Sequence, residues 1–172
     1  MTKTNTPIAT ATMAAAASII MLMATPMLLF QGALAAPTLR GPITCTIIGA
    51  TQLNCMLNVL GLSGAKFATA ILTATATVGT TCTTPSGSNE NGFQTSTTTV
   101  STNKTVNVQG GKATFDLTTP PLNAEQLRTC QSANMTPTIV CITFSNISIE
   151  VVPNSGPSKT FSVPGTLSNC PT

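Results

Sequence analysis

Among the 172 residues, the side chains whose type and spacing could do chemistry are six cysteines: Cys45, Cys55, Cys82, Cys130, Cys141 and Cys170. Zinc ligation calls for short Cys-x2-4-Cys pairs or histidines, and this chain has neither. An even set of thiols with no metal pattern points instead to oxidation in pairs, hence to three disulfides in an oxidising compartment. Six cysteines leave many connectivities formally open. Order and local geometry favour Cys45–Cys55, Cys82–Cys130 and Cys141–Cys170. Residues 43–48 and 52–60 read as two strands around a turn at Gly49-Ala50-Thr51, which sets position 45 opposite position 55. Cys82 ends a long strand and Cys130 closes the segment after residues 112–118, so joining them pins two long connections. Cys170 is left to hold an apolar-poor tail through Cys141 on a late strand.

Other chemistry finds little purchase. A Ser-His-Asp or Cys-His site needs histidine, and a Ser-Lys site, though formally open, has no motif here. Glycosidase-like carboxylates must flank one bond about 5–9.5 Å apart. The four acids Glu90, Asp116, Glu125 and Glu150 fall on a loop, a strand, a short helical segment and a late strand. A hydrolase using Glu125 and Glu150 is therefore only a third reading, and no catalytic residue is assigned. Gly110-Gly111 lacks a following helix and a GK[ST], so it marks a turn rather than a phosphate site. No cofactor and no metal are expected. Asn103, Asn134 and Asn146 head Asn-x-Ser/Thr sequons. Thr73, Thr75 and Thr77 have the alternate spacing of flat ice-binding faces, but a solvated or sheet-packed threonine face is the ordinary reading.

Carbohydrate binding is the more serious alternative. Phe67, Phe115, Phe144 and Phe161 sit in strand patterns, where core packing is expected. Phe93 ends a Pro/Gly/Ser/Asn-rich stretch, TTPSGSNENG, and is the aromatic placed for exposure. Residues 83–93, with Asn89, Asn91 and Phe93, are thus the candidate ligand loop.

The element that must organise these residues is 66–82, KFATAILTATATVGTTC. Ala68, Ala70, Leu72, Ala74, Ala76 and Val78 alternate with mostly threonine, a period of two that predicts one long half-buried strand. Gly79 relaxes it. Residues 93–102 read as a threonine-rich edge strand. Residues 104–109 and 112–118 alternate on either side of Gly110-Gly111 and predict a β-hairpin. Pro120-Pro121 stops the second run. Residues 122–132 hold the one helical segment, with Asn123 as its N-cap. In 138–144 and 147–152 the apolar parity switches across Ser145-Asn146, which requires a bulge or a turn there. A last short strand spans 159–163.

The N-terminus has a different character. Lys3 precedes an apolar run over 13–30, and Ala33 and Ala35 match an A-x-A cleavage site. Residues 1–35 are read as a signal peptide, 36–42 as a linker and 43–172 as one secreted domain. An uncleaved anchor is the alternative, and the membrane enters only through that segment. Charged residues make up 6% of the chain and form no basic cluster, which argues against nucleic acid.

The segments 61–62 through TATATVGTTCTTPSGSN, GKATFDLTTPP (111–121) and TIVCITFSNISIEV (138–151) resemble a group of small secreted prokaryotic proteins. These carry a GLG-type turn, a Thr/Val-rich strand ending in a CTNPGGN-like loop, and a G-x-A-x-F strand running into a TPP loop. The resemblance implies a secreted all-β fold and no established activity. This chain departs from the group at 90–94 and in having Cys141.

Together these features predict an all-β, immunoglobulin-like two-sheet sandwich of about eight or nine short strands, stapled by disulfides. A closed barrel is the alternative. The expected role is a secreted or cell-surface structural or interaction module without catalytic activity, its extracellular partner unnamed by the sequence. A carbohydrate-type ligand module using 83–93 stands second.

Overall fold

The computed structural model describes residues 34–127, 130 and 134–171, with the side chains of 89–93 and 126 excepted. The cleavage site at 33–35 and the apolar run before it lie largely outside the described residues. Among the described residues nine strands, β1 (Thr38–Leu39), β2 (Thr44–Ile48), β3 (Gln52–Leu60), β4 (Phe67–Thr83), β5 (Asn89–Asn107), β6 (Ala113–Thr118), β7 (Thr136–Pro153), β8 (Lys159–Ser162) and β9 (Leu167–Ser168), form two antiparallel sheets. One four-residue helix, α1 (Ala124–Leu127), precedes β7.

In the first sheet β1 and β2 lie end to end along one side of β3, and β6 lies along the other. In the second the order is β5–β4–β7, and β8 and β9 lie end to end along the far side of β7. Three rows thus face four. The chain crosses between sheets from β3 to β4, β5 to β6 and β6 to β7, giving the Greek-key, immunoglobulin-like sandwich anticipated above.

The core follows from parity. Along β4 the even positions Ala68 to Val78 are all buried and the odd ones half-buried, as the period of two requires. Four of these six inward side chains are alanines, which fill little of a close-packed layer. The volume is supplied by Leu53, Leu57, Phe115 and Leu117 of the first sheet and by Phe144, Ile149 and Val151 of β7, all in one cluster.

Three expectations change on folding. The linker 36–42 contains β1, its Pro37 is buried, and Arg40 N–H donates to Asn58 O at 2.8 Å. The two strands expected at 93–102 and 104–109 are one continuous β5. The Gly110-Gly111 turn exists, with a Gln109–Lys112 bridge, but it is not a hairpin: β5 pairs with β4 while β6 pairs with β3. Local turn chemistry bends the chain either way. Which strand each arm meets is decided by the apolar face of β6, Ala113, Phe115 and Leu117, which is buried opposite Val59, Leu57 and Cys55. The runs 138–144 and 147–152, for which a bulge or a turn was expected between them, form the single strand β7.

The parity switch in β7 is a bulge. Thr73 pairs with Ser148 and Thr75 with Ser145, so Ala74 alone faces Asn146 and Ile147. Asn146 adopts φ 50°, a left-handed conformation that asparagine tolerates better than most residues. The extra residue keeps Ile142 and Phe144 inward before it and Ile147, Ile149 and Val151 inward after it.

Candidate interaction surface

The three cysteine pairs are Cys45–Cys55, Cys82–Cys130 and Cys141–Cys170, with sequence separations of 10, 48 and 29. Gly49 and Ala50, at φ 55° and 63°, turn β2 into β3 and bring Cys45 directly opposite Cys55. The tail is held at one place by several bonds. Asn169 Oδ1 accepts Ile142 N–H at 2.6 Å, Asn169 N–H donates to Ile142 O, and Asn169 Nδ2 donates to Ala50 O at 3.2 Å. Three disulfides in a small all-β domain are typical of extracellular proteins.

The candidate ligand loop is shorter than its composition suggests. Thr84 N–H donates to Ser88 O, Gly87 N–H to Thr84 O, and Ser88 N–H to Thr84 Oγ1, closing a tight turn over 84–88. Asn89 pairs with Thr83 and Glu90 with Cys82, so this part of the expected loop is strand. The side chains of Asn89, Asn91 and Phe93 lie outside the described residues. Among the other phenylalanines, Phe115, Phe144 and Phe161 are buried as expected, but Phe67 is 45% exposed. Its odd position on β4 puts it on the outward face, where exposed Val152 also lies, paired with the next outward residue of β4, Thr69. That parity was readable from the alternation of 66–82.

Glu125 is exposed on α1, whose first turn is capped by Asn123 Oδ1 accepting Glu125 N–H at 3.0 Å. Glu150 is half-buried near the C-terminal end of β7, paired with Ile71 and Thr160. No group of three or more metal-binding side chains occurs among the described residues. Asn103, Asn134 and Asn146 are all exposed.

What the fold does assemble is a face. The outward positions of the second sheet fall into register across its rows, β5 to β4 to β7 to β8 or β9. Thr97, Thr77, Thr143 and Ser168 form one line, Thr99, Thr75 and Ser145 the next, and Ser101, Thr73, Ser148 and Ser162 a third. Neighbouring hydroxyls bond across the strands: Thr143 with Ser168 at 2.8 Å, Thr77 with Thr97 at 3.5 Å, and, further along, Thr69 with Thr105 at 2.8 Å. Strand spacing puts these lines on a lattice of roughly 4.8 Å by 6.8 Å. The ordinary twist of roughly 20–25° per strand would turn a four-row face through about 60–75°, away from the flat plane that ice matching needs.

No family model and no curated protein matches the chain.

Proposed function

We propose that the protein is a secreted or cell-surface structural and interaction module without catalytic activity. The observation that carries this reading is the outer face of the β5–β4–β7–β8/β9 sheet. It carries three adjacent lines of threonine and serine hydroxyls, beyond which Ile71 stands in line with Asn103, Glu150 and Thr160 and exposed Phe67 and Val152 follow. Such a face offers many weak, hydrated hydrogen bonds and no concave, desolvated centre of the kind that tunes a catalytic group. Three disulfides and the A-x-A signal favour export, with the mature chain starting at Ala36.

The test is retention at the cell surface. Protein recovered after export should rebind to producing cells stripped of it. Thr75→Glu with Thr97→Glu, which charges a half-buried position of the central strand and an exposed one beside it, should lower that binding by about threefold or more at a stability cost of about 0.5–3 kcal/mol that leaves the variant folded. Equal binding by the charged variant would remove the face from the account. A robust hydrolase activity abolished by Glu125→Gln or Glu150→Gln would overturn the non-enzymatic reading altogether.

A further inference from the structure

The sandwich has four long edges, and three of them are interrupted. The β1/β2 edge is broken by Gly41-Pro42. The β8/β9 edge is broken by Pro164-Gly165, and its first strand is only four residues long and opens on Lys159. The β6 edge is six residues long, carries Asp116 and stops at Pro120-Pro121. Short strands, prolines and charges are the devices by which natural sheets keep edges from pairing with other chains.

The fourth edge, β5, is 19 residues long and has none of these over residues 95–103, TSTTTVSTN. Over 94–107 one side of its main chain is paired with β4, the register shifting beyond Thr80; among the described residues the other side faces no strand of its sheet. Lys104, just beyond this stretch, bends back to donate to Asp116 O at 3.2 Å. The stretch itself is uncharged, rich in β-branched threonine and free of proline and glycine.

We propose that β5 is a self-association edge, on which the β5 strand of a second copy of this chain pairs antiparallel across a two-fold axis. The occupant follows from the edge itself. An isologous pairing needs a surface complementary to its own copy, and an uncharged strand of alternating hydroxyls meets itself without like-charge repulsion. In any in-phase register, exposed Thr95, Thr97, Thr99 and Ser101 of one copy stand beside the same residues of the other. Threonine–threonine cross-strand pairs are favourable there. Pairing over these residues supplies close to the ten direct hydrogen bonds of an ordinary stable interface. The hydroxyl face would then run unbroken across two molecules. This inference stands on the edge's main chain and does not depend on what the face binds.

The experiment is sedimentation of protein recovered from expression of the full chain, wild type against Thr97→Lys/Thr99→Lys/Ser101→Lys. The wild type should sediment as a concentration-dependent dimer. The triple variant, with like charges facing across the axis, should need about tenfold or more higher concentration to dimerise. Thr44→Lys/Thr46→Lys on β2, both exposed, is the control and should dimerise as the wild type does. Backbone hydrogen exchange of the wild type gives a readout that survives misfolding of any variant, since alternate amides of 95–103 should be slowed only where dimer is populated. A wild-type monomer at all concentrations, a dimer indifferent to the β5 lysines, or unprotected β5 amides in a dimer would each overturn the proposal.

Discussion

Thr119 closes the end of the first sheet with main chain and side chain together. Its N–H donates to Leu53 O at 2.9 Å, its hydroxyl accepts Leu53 N–H at 3.0 Å, and its carbonyl accepts Gln52 Nε2 at 2.9 Å. Leu53 is fully buried, so Thr119→Val, equal in shape, leaves a donor without water or partner. Denaturant unfolding should show a loss of about 1–3 kcal/mol. A change within error would mean that Leu53 N–H finds another acceptor. Gly61 makes a second such demand. At φ +79° it is left-handed, and a Cβ there would lie 2.8 Å from Ala36 O. Gly61→Ala should cost more than the roughly 1–2 kcal/mol of the backbone conformation alone. Gly165→Ala, at φ +85° with nothing within 4 Å, should cost only that term. Equal losses in the two variants would contradict a rigid return of residue 36 past β3. The turn at Gly61 was legible from the sequence. Its crowding was not, because it comes from a segment 25 positions away that composition marked as linker.

At the scale of elements, the informative feature is Asn146. The bulge exists because the inward positions are even before it and odd after it, so its removal is not a local change. Deleting Asn146 would turn Ile147, Ile149 and Val151 outward or Ile142 and Phe144 with them, and the variant should lose the cooperative unfolding transition in calorimetry. Asn146→Gly keeps both the count and the left-handed backbone, and should stay within about 1 kcal/mol of wild type. Comparable behaviour of the two variants would refute the parity account. The bulge could be read in advance because both arms of β7 carry their own apolar alternation. The fate of the Gly110-Gly111 turn could not, since two alternating runs around paired glycines describe a hairpin and an inter-sheet arch equally well. The choice was made at a distance, by Leu57 and Val59 of β3 offering β6 an apolar partner surface. The threonine face was half legible: its β4 line stands in the alternation of 66–82, but its lateral extension needed the registers of β5 and β7.

For the whole molecule, the disulfides set the stability. Loops of 10, 48 and 29 residues correspond in the chain-entropy model to about 3 kcal/mol for the shortest and about 4 kcal/mol for each longer one. Those terms are comparable with the roughly 5–15 kcal/mol of net stability of a whole domain. Full reduction should therefore unfold the protein or bring it close to unfolding at room temperature, seen as loss of the far-ultraviolet β signal; a reduced protein that melts as the oxidised one does would contradict this. The Cys45–Cys55 pair was legible because a turn centred on Ala50 fixes it locally. The other two pairings followed from order. Three disulfides in a small all-β domain are typical of extracellular proteins, which makes export the central claim of the proposal. The most direct test is expression of the full chain, followed by N-terminal sequencing and non-reducing peptide mapping of the protein recovered outside the cytoplasm. The account predicts a chain beginning at Ala36 with Cys45–Cys55, Cys82–Cys130 and Cys141–Cys170 intact; an intact Met1 on membrane-bound material, or free thiols in the exported product, would contradict it.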